Sequence, residues 1–197
     1  MRDFSDRITK ILLNKGEIKA EDIAIYKYGF RILIDVVVDS AVLLLIGILL
    51  HQTLKCLIFM IVFSSVRMYS GGYHARTKPR CIMITCLMLI LEIVLSNLVL
   101  RTSYYIEYNL AAIVLTYLIM WRKAPVRNEN KILEDYEIPV YKNKVLCLIT
   151  IYATVIVITS IYFWGASVSV STTLIEVCLL MFVKAGGEKY ESSNCSS

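Results

Sequence analysis

The chain has 197 residues, of which 57% are hydrophobic, and it carries a formal net charge of +5. Soluble domains are about 45–50% apolar, and the apolar residues here form long runs without strand-like alternation, which excludes a soluble globular fold and a transmembrane barrel. The basic residues lie between these runs, so their charge favours an anionic membrane surface over a nucleic acid as partner. We therefore predict an all-α integral membrane protein.

The first 31 residues are predicted to form amphipathic helices before the first membrane span. Apolar residues recur at helical spacing from Phe4 to Leu12, basic residues lie between them, and a helix end is expected at Gly16. A second short helix is predicted from about Glu17 to Tyr28. A basic amphipathic segment beside a first span usually lies on the membrane surface, and packing on cytoplasmic loops is the alternative.

Six apolar segments follow, and we predict that each crosses the membrane. Five of them approach the roughly 20 residues needed to cross a core of about 30 Å. Leu54–Val66 has only 13 residues, about 20 Å of helix, so it either crosses by drawing in Arg67–Tyr69 or is re-entrant. The longer spans are Ile32–Leu50, Cys81–Leu100, Tyr104–Trp121, Val145–Phe163 and Val168–Val183.

Loop charge favours six crossings with both termini in the cytoplasm. In that topology 19 of the 21 Lys and Arg residues are cytoplasmic, and only Lys55 and Arg101 lie outside. If Leu54–Val66 did not cross, the basic 122–144 loop would lie outside, against the positive-inside rule. The predicted parts are cytoplasmic or interfacial helices at 1–31, a transmembrane domain at 32–183 and a polar cytoplasmic tail at 184–197.

Four carboxylates lie inside the predicted spans, where a charge is costly and usually faces protein or water. Asp35 and Asp39 are one helical turn apart, while Glu92 and Glu176 lie near the middle of their spans. They suit a proton or cation path, or pairing with basic groups at an active centre. Hydrogen bonding between helices is the simpler alternative, and the sequence leaves their role open.

The cysteines and histidines argue against a metal site or a disulfide framework. None of the six cysteines forms a Cys-x-x-Cys pair, and most lie in or beside apolar spans, where cysteine behaves as a small hydrophobe. His51 and His74 are the two histidines, and there is no His-Glu-x-x-His motif. No cofactor is expected.

The segment from Arg67 to Cys81, which joins the short second span to the third, is the most unusual stretch of the sequence. Gly71-Gly72 permits positive φ and close backbone approach, and Pro79 fits the first turn of the next helix. Cys81 would then lie at a helix start, where the helix dipole favours a thiolate. Three basic neighbours add to that effect: Arg76, Lys78 and Arg80.

His74 lies seven residues before Cys81. On one continuous helix the two would be about 10 Å apart along the axis, too far for a hydrogen bond, but the Gly-Gly pair and Pro79 argue against a continuous helix. A cysteine with a histidine base is a known acyl-transfer nucleophile. A solvated loop histidine and an interfacial cysteine with no shared function are the alternative.

The run from Arg67 to Cys81, Arg-x-x-x-Gly-Gly-x-His-Ala-x-x-x-x-x-Cys, resembles the signature of the accessory gene regulator B (AgrB) family. The segment from Ala124 to Lys131 resembles the family's Ala-Pro…Asn-Lys segment after the fourth span, although Ile132 stands where the family usually has proline. The resemblance extends over the whole chain in length, span order and loop charge.

The resemblance implies a membrane-embedded cysteine peptidase that processes a quorum-sensing propeptide, with His74 and Cys81 as catalytic residues. It implies a homodimer in a bacterial cell membrane, in contact with lipids, and an AgrD-like propeptide substrate with an amphipathic leader and an acidic tail. A transporter or receptor that only binds or exports a peptide is the competing class. Supporting loop residues would be Arg67, Gly71 and Gly72; substrate-binding candidates are Arg76, Lys78, Arg80, Arg127 and Lys131; Glu129 and Asn130 are candidates for orienting the histidine.

Overall fold

The computed structural model describes residues 9, 12–13, 22–70, 78–126 and 137–182. This part of the chain is helical and contains no strand, which confirms the predicted all-α class. Its six long helices are α1 (Ile23–Leu49), α2 (Thr53–Ser70), α3 (Lys78–Leu100), α4 (Tyr105–Lys123), α5 (Glu137–Tyr162) and α6 (Trp164–Phe182).

Five of these helices, all except α4, are long and apolar enough to cross a membrane. The 19 residues of α4 include Glu107, Arg122 and Lys123, which lie in its first and last turns. Charges at helix ends fall at the level of the lipid headgroups, where they are tolerated. The prediction of about six transmembrane helices is therefore confirmed.

The short second span is extended by its polar C-terminal residues. Helix α2 continues through Arg67 to Ser70 and has 18 residues, or about 27 Å at 1.5 Å per residue. That length suffices to cross, so the structure favours the crossing interpretation over the re-entrant one.

The prediction of a separate short helix that ends near Tyr28 is wrong, because α1 is continuous from Ile23 to Leu49. The part boundary between residues 31 and 32 stays a prediction. Gly29 is the weakest helix former at this point, and a single glycine costs a helix only about 1 kcal/mol. The chain divides into two compact units at Thr53; α1 belongs to the first unit, and helices α2–α6 form the second.

Helix α6 is the core of the second unit. It packs against α3, α4 and α5, and almost every side chain from Ser167 to Met181 is buried. The surrounding helices turn apolar side chains outward: on α3, Leu87 is 59% exposed while Glu92 is 0% exposed. Polar groups inside and apolar groups outside are the arrangement expected of a bundle surrounded by lipid.

Side-chain and backbone contacts define two ends of this unit. One end, here called the Cys81 end, joins the C-termini of α2, α4 and α6 to the N-termini of α3 and α5. It contains the Tyr69–Tyr141 and Lys123–Phe182 contacts. The other, the Lys55 end, contains the contact of Lys55 with Asn97. Successive helices therefore run in opposite directions.

We expect reporter fusions after Lys123 and after Gly165 to lie on opposite sides of the membrane, with the Lys123 fusion in the cytoplasm. The Cys81 end is rich in Lys and Arg, and loops with an excess of these residues usually lie in the cytoplasm. Paired alkaline phosphatase and fluorescent protein fusions measure this. Both fusions on one side would contradict the antiparallel order, and an external Lys123 fusion would contradict the predicted orientation.

Candidate active site

Cys81 lies in the first turn of α3, as predicted. The helix begins at Lys78 and Pro79 occupies its second position, where the missing amide hydrogen of proline costs nothing. The Cys81 side chain is half-buried, and its carbonyl oxygen accepts a hydrogen bond of 3.0 Å from the Thr85 hydroxyl. The thiol is therefore held at a rigid helix start and retains some exposure.

Arg67 is the cation that the fold brings to Cys81 from another helix. It lies in the last turn of α2, and its guanidinium carbon is 5.2 Å from the centre of the Phe63 ring, which orients the side chain by a cation–π contact. The guanidinium interacts electrostatically with Cys81. The supporting role of Arg67 at the site stays a prediction.

The two segments that resemble the family signature are joined at the Cys81 end. The backbone N–H of Val126 donates a 2.9 Å hydrogen bond to the carbonyl of Ser70, the last residue of α2. Ala124, two residues before Val126, is buried, and its N–H donates to the carbonyl of Met120 in the last turn of α4. The segment that contains Ala124 and Pro125 is thus hydrogen-bonded to Ser70, the residue immediately before the Gly-Gly pair.

At the Cys81 end, two lysine ammonium groups lie over aromatic rings in cation–π contacts. The sequence analysis did not predict these contacts. The rings of Tyr69 and Tyr141 have centroids 6.0 Å apart, and the Lys144 ammonium lies 5.4 Å from the first centroid and 5.8 Å from the second. The Lys123 ammonium is 3.8 Å from the centre of the Phe182 ring. The spacing of Tyr141 and Lys144, three residues apart on α5, was the available signal.

The remaining described cysteines lie in settings unlike that of Cys81. Cys56 and Cys178 are buried, Cys147 is exposed along α5, and Cys86 is half-buried five residues further along α3. None of these four lies in the first turn of a helix that follows the Gly-Gly loop. Within the described ranges no group of three His, Cys, Asp or Glu side chains is arranged to hold a metal ion.

Several predicted site residues lie outside the described residues, so their predicted roles stay predictions. They are Gly71, Gly72, His74, Arg76, Arg127, Glu129, Asn130 and Lys131.

Comparison with known proteins identifies the family. The model of the family described as Accessory gene regulator B matches residues 5–183. An AgrB-like protein of Clostridium perfringens (strain SM101 / Type A) is 29% identical over 150 residues, which is 72% of this chain and 68% of the relative. AgrB-like protein 2 of C. perfringens (strain 13 / Type A) is 28% identical over 156 residues, 75% of this chain and 71% of the relative.

No solved structure matches the chain. The family match nevertheless includes both the Arg67–Cys81 loop and the Ala124–Lys131 segment, the two parts of the chain that the Ser70–Val126 hydrogen bond joins. The chain therefore belongs to the accessory gene regulator B family, and this membership supports an accessory role in quorum sensing.

Proposed function

We propose that this protein is a membrane-embedded cysteine endopeptidase that cleaves a small autoinducer propeptide on the C-terminal side of its signal sequence. The observation that carries the proposal is the position of Cys81, at the start of α3 and within electrostatic range of the Arg67 guanidinium, in a chain of this family. The cleaved signal leaves as a thiolactone or lactone ring.

In the first step the Cys81 sulfur attacks the scissile carbonyl carbon while His74 accepts the thiol proton. A carbon–sulfur bond forms, the carbon–nitrogen bond breaks, and the C-terminal fragment leaves as an amine that takes the proton from the histidine. This is nucleophilic catalysis with a paired general base. The product is an acyl-thioester on Cys81, and the reaction needs no cofactor.

In the second step a nucleophile within the substrate, a cysteine thiol or a serine hydroxyl, attacks the Cys81 thioester. Attack by a thiol exchanges one thioester for another and is nearly isoenergetic, whereas the first step converts an amide into a thioester and is uphill. Removal of the C-terminal fragment therefore drives the sequence forward. The bond between the acyl carbon and the Cys81 sulfur breaks, and the proton of the attacking thiol or hydroxyl passes to that sulfur, which restores the Cys81 thiol for the next turnover.

Arg67 and the Gly-Gly loop would stabilise the oxyanion that forms in both steps. A preorganised cation or N–H donor aimed at the developing charge is often the largest single contribution to acyl-transfer catalysis. The Arg67 guanidinium is held over the Phe63 ring and interacts with Cys81, which supports this role. The backbone N–H of Gly72 is the predicted second donor.

The test is to trap the acyl-enzyme with an AgrD-like propeptide. In mild detergent, a propeptide whose internal nucleophile is replaced by alanine cannot cyclise, so the thioester should accumulate on Cys81 and mild hydroxylamine should release it. Cys81→Ser should give an oxygen ester that resists the same treatment. An acyl group found on Cys86, or no acyl-enzyme in an assay that still cleaves the propeptide, would overturn the proposal.

The substrate surface facing the enzyme should be acidic, because the Cys81 end is basic. Described contributors are Lys78, Lys123 and Lys144, the last two of which lie over aromatic rings, and the predicted contributors Arg127 and Lys131 belong to the adjoining loop. Part of this charge serves only to fix the orientation in the membrane.

Charge reversal at Arg127 and Lys131 should raise the apparent KM for the propeptide more than it lowers kcat, and cleavage should slow as salt rises. Attraction between exposed charges is screened beyond about 10 Å at 0.1 M salt. The matched control is Arg101→Glu, since Arg101 is exposed and lies at the Lys55 end, so its reversal should leave KM unchanged. Salt-independent cleavage would refute an electrostatic docking step.

Homodimer formation and a location in the bacterial cell membrane with cytoplasmic termini complete the proposal. The family resemblance supports the homodimer and the cell membrane, and the distribution of Lys and Arg supports the cytoplasmic termini. A transporter or receptor that only binds the peptide would not need the Cys81 sulfur, so retention of peptide output after its removal would favour that class.

A further inference from the structure

Glu92 lies in the middle of α3 with no exposed surface. Its Oε1 accepts a 2.5 Å hydrogen bond from the Ser169 hydroxyl of α6, while its Oε2 is buried and has no hydrogen-bond partner. Lys55 of α2 interacts with it electrostatically. The Lys55 ammonium itself donates hydrogen bonds to Ser96 and Asn97 on α3, at 3.0 Å and 2.6 Å.

Glu176 of α6 is also buried, and it has fewer polar partners than Glu92. Its exposure is 0%, and both carboxyl oxygens are buried without a hydrogen-bond partner. A charged carboxylate in such a position is much more costly than a neutral carboxyl group, because nothing replaces its lost hydration. The side chain therefore needs a cation or a proton.

The two carboxyl groups share one polar interior. Glu176 lies seven residues after Ser169, on the same face of α6, and it interacts electrostatically with Glu92. Side chains on a helix lean toward its N-terminus. Since α3 and α6 run in opposite directions, Glu92 leans toward the Cys81 end and Glu176 toward the Lys55 end, so the two lean toward one another.

Tyr108 of α4 completes this interior. The Tyr108 and Thr172 hydroxyls share a 3.0 Å hydrogen bond, and the Thr172 hydroxyl is also 2.8 Å from the carbonyl of Val168. Tyr108 interacts electrostatically with both Glu92 and Glu176.

The other helices that pack on α6 contribute mainly neutral groups. Helix α5 contributes Ser160, which accepts a hydrogen bond from Asn109 of α4, while its Tyr152 hydroxyl contacts Ser65 of α2. On α6 itself the Cys178 thiol lies half a turn beyond Glu176. Among the described residues, Lys55 is the cation whose charge acts on this interior.

We propose that Glu92 and Glu176 form a proton-binding site in the core of the bundle, with the proton on Glu176 and the negative charge on Glu92. Lys55 acts on Glu92, whereas burial and the Glu92 charge are what act on Glu176, so Glu176 must be neutralised by another species. Glu92 has the Ser169 hydrogen bond and the attraction of Lys55 to stabilise its charge, whereas Glu176 has neither. This site is separate from the Cys81 chemistry and does not depend on it.

Infrared difference spectroscopy of the purified full chain in lipid nanodiscs tests the assignment at neutral pH. The wild type should show the carbonyl stretch of a protonated carboxylic acid in a buried site, and alkaline titration should remove it reversibly. Glu176→Gln should remove this band, Glu176→Asp should shift it, and Glu92→Gln should leave it in place. The matched control, Glu107→Gln, replaces an exposed carboxylate on α4 and should change nothing.

The Lys55→Met variant supplies a second test, in which an acid band should be gained instead of lost. Without the Lys55 charge, Glu92 should also take up a proton, so a second acid band should appear and should vanish in the Lys55→Met, Glu92→Gln double variant. No acid band in the wild type at neutral pH would overturn the proposal, as would a band that persists in Glu176→Gln. A band seen in choline chloride but lost in sodium or potassium chloride would assign the site to a metal cation instead, and would also overturn it.

Discussion

Replacing Cys81 by alanine should abolish propeptide cleavage and acyl-enzyme formation together, because both steps use the same sulfur atom. Loss of the covalent route leaves only binding and oxyanion stabilisation, so turnover should fall to background while propeptide binding persists. Gel analysis of cleavage and a pull-down of tagged propeptide measure the two properties on one preparation. Binding without cleavage distinguishes a catalytic role from a failure to fold.

The matched control for this substitution is Cys86→Ala on the same helix. Cys86 is half-buried on α3, five residues after Cys81. Replacing it shows how much activity is lost when any thiol is removed from that helix. Turnover should stay within about twofold of wild type, because surface or partly buried substitutions away from a site usually change stability by only about 0.5 kcal/mol. Iodoacetamide should label Cys81 faster than the buried Cys56 and Cys178, since buried structural thiols are inert. If the Cys81→Ala variant still cleaved the propeptide, Cys81 would not be the nucleophile and another residue would have to take that role.

The number and order of the helices could be predicted because lipid imposes a simple length rule. A run of apolar residues must continue until it has crossed the hydrocarbon core, and the sequence displays those runs. The rule fails at helix ends. Helix α5 begins at Glu137, eight residues before the predicted start at Val145, because a helix that has left the hydrocarbon no longer needs apolar side chains.

Helix α6 shows a different limit of hydropathy. Its predicted span, Val168–Val183, was the shortest of the five longer runs, yet α6 is the central helix of the second unit and its side chains are almost all buried. Small and hydroxyl-bearing residues such as Ser167, Ser169 and Ser171 lower its hydropathy. The same residues allow close helix approach and supply hydrogen bonds between helices, so the shortest of these runs forms the most buried helix.

The candidate site was predictable where it is local and unpredictable where it is long-range. A proline followed two residues later by Cys81 places the thiol at a helix start, and the structure confirms it. The Arg67–Cys81 interaction and the Val126–Ser70 hydrogen bond join different helices. Such contacts depend on how helices pack, for which one sequence contains no spacing rule.

Replacing His74 by alanine should reduce kcat for cleavage by roughly 10²–10⁴-fold, the usual contribution of a positioned acid–base group. Raising the pH should partly rescue the variant, because hydroxide then ionises the thiol without a base. The propeptide KM should change little, since a general base acts in the transition state rather than in binding.

The control is His51→Asn, which removes the other histidine. His51 has a positive φ of 53°, a conformation that asparagine tolerates better than alanine, so this replacement should preserve both the backbone and the activity. His74→Ala should still react with iodoacetamide at Cys81, which shows that the thiol remains accessible. Equal losses in the two histidine variants, or a His74→Ala enzyme with unchanged kcat and no gain at alkaline pH, would remove His74 from the mechanism and require another base for Cys81.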